Sequence, residues 1–148
     1  MMRKTFLSVI VTILFFGCAA TSAEEIAFST LARGYHASGI DDGFEVVIYD
    51  DDSFSSLWGD IAEGITPLPT APRVDFESEM VIAVSPGPQP TGGYGVEIVD
   101  IEDLGEVLRV IVTFRVPGPE DFVTEAITQP YHIVSTERRE VPVEFVWE

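Results

Sequence analysis

Lysine is almost missing from this 148-residue chain: the only one, Lys4, stands beside Arg3, and six arginines are the only cations after it. The 25 acidic residues all lie beyond residue 23, so the chain from there on carries a formal balance of −19. Phosphate binding depends on clustered Lys and Arg, which excludes nucleic acid as an expected partner. Anionic membrane surfaces repel such a chain for the same reason. Cysteine occurs once, at Cys18, so no intramolecular disulfide is available and the fold must stand on its core. Histidine occurs twice, as His36 and His132, and no Gly-x-Ser-x-Gly string exists. A Ser- or Cys-based triad would need one of those histidines beside an activated nucleophile. No long apolar run is present: Phe6 to Phe16 is far short of the roughly 20 residues a spanning helix needs.

That short run has another meaning. Arg3 and Lys4 precede it, and Gly17, Cys18, Ala19 and Ala20 follow it. A basic start, a short apolar middle and a small-residue exit read as a secretory signal over residues 1–23. Phe15-Phe16-Gly17-Cys18 is similar to a bacterial lipobox, which makes Cys18 a candidate lipidation site. Cleavage after Thr21-Ser22-Ala23 is the other reading and would release a soluble protein. Either way the expected place is outside the cytoplasm: the cell envelope, the periplasm or the medium. Residues 24–148 then suffice for one domain with a real core.

Hydrophobic periodicity organises that domain. A strand is expected near Ile26 to Leu31, and another where Phe44, Val46 and Ile48 alternate with Glu45, Val47 and Tyr49. Phe54, Leu57, Trp58, Ile61 and Ile65 then form the stripe of an amphipathic helix over 53–64. Ser53 is placed to cap it, Asp50-Asp51-Asp52 sit at the positive end of its dipole, and Gly64 ends it. Pro67, Pro69 and Pro72 make an extended linker. Met80-Val81-Ile82-Ala83-Val84 predicts a central strand buried on both faces. Alternation returns over Tyr94–Ile101, Leu108–Val116 and Val141–Trp147, with a further strand at Tyr131–Val134. The expected class is α+β: an antiparallel sheet of six or seven strands packed on one amphipathic helix. Phe54, Leu57, Trp58, Ile61, residues 80–84, Val110, Val112, Phe114, Phe145 and Trp147 should supply most of the core.

The most specific stretch is Pro90-Thr91-Gly92-Gly93-Tyr94-Gly95-Val96, which follows Pro86, Pro88 and Gln89. Two consecutive glycines allow backbone angles closed to other residues and let another chain come close. The three prolines stiffen the loop, so little entropy is lost on binding. Gln89, Pro90, Thr91, Gly92, Gly93 and Tyr94 are therefore candidate protein-binding residues. Pro130, Tyr131 and His132, a second Pro-containing start of a strand, join them if the fold brings both to one end. His132 alternates with Tyr131 and Ile133, which points it off the core.

With these landmarks in order, the chain resembles the carboxy-terminal domain of the PrcB family of bacterial protease-complex proteins. The resemblance rests on Leu57-Trp58, Pro72 with Val74-Asp75-Phe76, Met80–Val84, Gly87, Pro90–Ile98, Thr128 and Pro130–Val134, and it spans roughly residues 44–146. It implies a protein-binding lipoprotein module that assists the assembly or stability of an extracytoplasmic protease complex. The Pro90–Tyr94 string is also similar to the Asn-Pro-Thr-Thr-Gly-Tyr loop of chagasin-type inhibitors of cysteine proteases, with Gln89 where the Asn would be. That resemblance implies inhibition instead, and a structural role in the envelope is the third reading. No enzyme activity and no cofactor are expected. Asp41, Asp42 and Asp50–Asp52 do not space their oxygens as a calcium loop does, so no metal site is expected. Asp75 should cap a turn through neighbouring amides.

Overall fold

Residues Met80–Val84 and His132–Thr136 are buried without a break, so neither strand has a face for water. Both must lie inside a sheet covered on two sides. The computed structural model describes residues 22–148 and places them there. Cys18 and all of the expected signal segment but its last two residues lie outside the described residues.

In chain order the strands are β1 (Glu24–Glu25), β2 (Phe28–Gly34), β3 (Phe44–Ile48), β4 (Glu79–Ser85), β5 (Gly95–Asp103), β6 (Leu108–Arg115), β7 (Tyr131–Glu137) and β8 (Val143–Trp147). The helix α1 (Asp51–Ile61) lies between β3 and β4. The class is α+β, but these eight strands form two four-stranded sheets, ordered β2-β7-β4-β3 and β1-β5-β6-β8, where one sheet of six or seven was expected. The reason lies in the β5–β6 hairpin. Its side chains alternate, burying Val96, Ile98, Leu108, Val110 and Val112 on one face only. Such a hairpin packs its apolar face against another sheet and leaves the other face wet. Neighbours are antiparallel except β6 and β8, which run parallel.

Three layers result. Met80, Ile82 and Val84 of β4, with Val134 of β7, pack on the hairpin's buried face. The alternate residues Val81, Ala83 and Ile133 pack on the other side against Phe54 and Ile61 of α1. The register Ile82↔Val134 and Ala83↔Ile133 aligns both sets across the central pair.

The helix starts earlier than its apolar stripe suggested. Asp50, not Ser53, is the N-cap: its Oδ1 accepts from the Ser53 amide at 2.8 Å and its Oδ2 from the Ser53 hydroxyl at 2.9 Å. That amide also holds the Asp50 carboxyl below its ordinary pKa. Ala62 closes the helix and Gly64, at φ +81°, turns the chain away. Trp58 donates its indole N–H to the Pro69 carbonyl at 2.8 Å, which ties the proline linker to the helix. Asp75 caps a turn as expected, accepting from the Glu77 amide at 3.2 Å and the Ser78 hydroxyl at 2.7 Å. The core is narrower than its expected list at the carboxy-terminal end. Phe145 is half-buried and packs against the inter-sheet cluster, as Leu57 and Trp58 do against the helix-side one. Phe114 is half-buried outside both, and Trp147 lies exposed on β8, where its indole N–H donates to Glu45 on β3. That contact closes one flank of the sandwich. The Arg33–Glu97 ion pair between β2 and β5 closes the other.

Ile82 is fully buried between the sheets. Ile82→Ala should lower unfolding stability by about 2–5 kcal/mol in urea titrations, the usual loss for a buried aliphatic truncation.

Candidate protein-binding end

Three loops meet beyond one end of the sandwich, and backbone hydrogen bonds hold them together. Gln89 and Thr128 exchange amide-to-carbonyl bonds of 2.7 and 3.0 Å, an isolated antiparallel bridge. The Gly92 amide donates to the Thr124 carbonyl at 2.9 Å, and the Thr128 hydroxyl to the Thr91 carbonyl at 2.7 Å. The Gln129 amide donates to the Tyr35 carbonyl at 2.7 Å, bringing in the loop after β2. The 86–94 loop and the start of β7 are therefore neighbours, as the reading of a shared end required. Ser85 and Gly118 add local fastening: the Ser85 hydroxyl accepts from the Gly87 amide at 3.1 Å, and Asp121 from the Gly118 amide at 2.9 Å.

The two glycines have a cover of their own. A Cβ on Gly92 would stand 2.4 Å from the Thr124 hydroxyl, and one on Gly93 2.7 Å from Val123 Cγ1 and 2.9 Å from Pro117 Cβ. The close approach that the double glycine allows is made by this chain's own segment 117–124. Gly93 is also at φ +87°, a conformation that L side chains rarely adopt.

The candidate residues divide accordingly. Pro90 and Gly93 are exposed, while Gln89, Thr91, Tyr94 and Tyr131 are half-buried. Tyr94 stacks on Phe114 at 6.0 Å between ring centroids. Tyr131 packs over Gly34, and burial raises its hydroxyl pKa. Gly92, Pro130 and His132 are buried.

His132 corrects the expectation that it points off the core. It is 1% exposed, on the face of β7 turned toward the second sheet. There its Nδ1 accepts from the Ile98 amide of β5 at 2.9 Å, which requires an unprotonated Nδ1. The hydrogen therefore sits on Nε2 and is donated to Thr30 Oγ1 of β2 at 2.9 Å. Alternation along β7 places one face of the strand outside only if one side is wet, and here a second sheet covers it. His132 thus joins three strands as a neutral structural ring. Burial first, and then repulsion from Arg33, push its pKa down from 6.5 to about 4, with Glu97 opposing.

Several residues at this end were not singled out by pattern. Tyr35, His36, Thr124 and Ala126 line a mostly apolar concavity of about 370 Å³ together with the two glycines and Thr128, a landmark of the resemblance. Around it the same loops expose Tyr35 at 54%, Val116 at 59%, Ile127 at 71% and a fully exposed Phe122. The available signal was an apolar Phe122 and Ile127 in a segment without periodicity, bounded by Pro117, Pro119 and Pro130. Among the described residues no cluster of His, Cys, Asp and Glu forms a metal site.

Two outcomes follow. In the fold His132 binds its proton more weakly than in the unfolded chain, so its contribution to stability is complete above about pH 6.5 and falls away toward pH 4. His132→Gln should flatten this part of the stability–pH curve, a difference on the order of 3 kcal/mol across the window, measured by urea unfolding at stepped pH. Gly93→Ala should cost about 1–2 kcal/mol from the left-handed backbone alone, read as a lowered melting temperature.

Compared with known families, residues 80–137 match the one described as PrcB C-terminal. The match runs from β4 to the end of β7 and so includes the 86–94 loop, the 117–128 segment and His132. It is shorter than the span of the resemblance, leaving β3, the helix and the start of β8 outside. No curated protein and no solved structure gives a significant match.

Proposed function

We propose, from the match of residues 80–137 to the PrcB C-terminal family, that the chain is an exported, non-enzymatic module that binds another protein through its loop end. One observation carries this reading: Tyr35, Phe122 and Ile127 stand exposed on loops that are themselves held by backbone bonds around the Gly92-Gly93 turn. Exposed aromatic and aliphatic side chains on a braced backbone are what a protein interface uses as anchors. A braced loop also loses little freedom when a partner arrives. Isolated exposed hydrophobics need no explanation, but several on one set of tethered loops do.

The chemistry of the buried histidine supports a binding role over catalysis. His132 is locked between strands as a neutral ring, with both nitrogens engaged by Ile98 and Thr30. PrcB-like domains are not a known enzyme family. The finer role, assisting assembly or stability of an extracytoplasmic protease complex, rests on the family resemblance. Export rests on the leader-like residues 1–23, and a lipid anchor on Cys18.

The inhibitor reading has the two-sheet sandwich in its favour, since chagasin-type loops are presented on such a body. Against it, Gly92 and Gly93 are backed by Thr124 and Val123 and do not stand free as a wedge.

The test is crosslinking in native cell envelopes followed by mass spectrometry, comparing the wild type with Tyr35→Ser/Phe122→Ser/Ile127→Ser. The wild type should capture one protein in stoichiometric amount, and the variant should lose it with an unchanged melting temperature. Equal capture by Ile65→Ser/Leu68→Ser, exposed apolar residues elsewhere, controls for general stickiness. Undiminished capture by the triple variant would remove the loop end from the interface. Inhibition of papain by purified wild-type protein would favour the second reading.

A further inference from the structure

The sheet edges of this sandwich are not equally protected. β1 is two residues long, and β2 carries a register shift between Thr30 and Ala32 as well as Arg33. Short strands, bulges and basic residues are the usual defences against strand addition. β3 has none of them, and neither has β8, the fourth edge; β3 differs from β8 in having the helix α1 alongside it. Its residues Phe44–Ile48 pair in unbroken register with Ser85–Val81 of β4, and β3 ends the order of its sheet. Its outer row of amides and carbonyls is unpaired by any described strand.

A groove of about 450 Å³ runs along that edge. Val46, Val47 and Ile48 all line it, although consecutive side chains of a strand point to opposite faces. The groove therefore follows the backbone edge itself. Its second wall is α1, which contributes Ser56, Leu57 and Asp60.

Charge then selects the occupant. From Gly34 to Pro72 the chain has no lysine or arginine and eight acids: Asp41, Asp42, Glu45, Asp50, Asp51, Asp52, Asp60 and Glu63. None of the eight takes part in an ion pair, whereas Arg33, Arg109, Arg115, Arg138 and Arg139 are all paired with acids outside this stretch; Arg73, which follows Pro72, pairs with none of the eight. Arg138 reaches the Tyr49 carbonyl beyond the end of β3 and is held by Glu140. A second copy of this chain would bring the same uncompensated acids to the edge, and like charges across paired strands repel.

We propose that the free edge of β3, with the groove between it and α1, receives an extended lysine- or arginine-bearing segment of a protein partner as an added strand. Backbone bonds to β3 supply the register. Aliphatic stems rest on Val46 and Leu57, and the cationic ends reach Asp60 and the acids of the first helical turn. This surface is separate from the loop end and does not depend on it.

The probe is an acetylated and amidated peptide alternating lysine and valine, titrated into the full chain by calorimetry and by amide chemical shifts. It should bind, with shifts concentrated in Phe44–Ile48, and weaken as salt is raised. The same peptide N-methylated at alternate backbone amides, or with glutamate for lysine, should not bind. Ser56→Lys/Asp60→Lys, both exposed on the helix, should weaken binding by about tenfold or more with the fold unchanged. Tyr35→Ser/Phe122→Ser/Ile127→Ser should bind the peptide as the wild type does. Binding that survives N-methylation, shifts lying elsewhere than β3, or full affinity in the lysine variant overturns the proposal.

Discussion

Burial of β4 and β7 on both faces is the constraint from which the rest of the molecule follows. A sheet whose two central strands offer nothing to water cannot be stable with one side bare. It needs a cover on each face, and the chain supplies two of different kinds. The amphipathic helix α1 covers one with Phe54 and Ile61, and the β5–β6 hairpin covers the other with a stripe of valine, isoleucine and leucine. Each cover is itself apolar on one side only, so the stacking stops at three layers.

That arrangement also explains a polar ring in the interior. Between two sheets a histidine survives only if both nitrogens are satisfied, because an unpaired buried polar group is expensive. His132 meets the condition by accepting from Ile98 and donating to Thr30, and so fastens β7 to strands of both sheets. The bonds that suit a neutral imidazole are the ones an imidazolium would break, and burial among Arg33 and apolar neighbours holds the ring neutral.

The surface is divided as clearly as the core. At the loop end, hydrogen bonds consume the backbone's polar groups and leave aromatic and aliphatic side chains outward. Along β3 and α1 the acids stand without counter-ions, while nearly all the arginines are engaged elsewhere. One region offers apolar anchors on a stiff frame and the other a one-signed field beside an open edge. In the two proposals these are different physical means of holding a protein partner, and they sit on separate elements.

The local features were legible in the residues themselves. Five apolar residues at 80–84 specify a doubly buried strand, and the spacing of Phe54, Leu57, Trp58 and Ile61 specifies a helix, because periodicity records how many faces are wet. The Asp75 turn and the double-glycine turn were readable for the same reason: their backbone angles and short side chains act within a few residues. What the sequence left open was every pairing between distant segments. Whether an alternating hairpin extends a sheet or covers it depends on which face meets which partner, and that decided two sheets over one. The same choice turned His132 inward, gave Gly92 and Gly93 their own cover in Thr124 and Val123, and left Phe122 and Ile127 outside. Strand alternation names two faces but not which of them is dry; only packing between segments far apart in the chain assigns that.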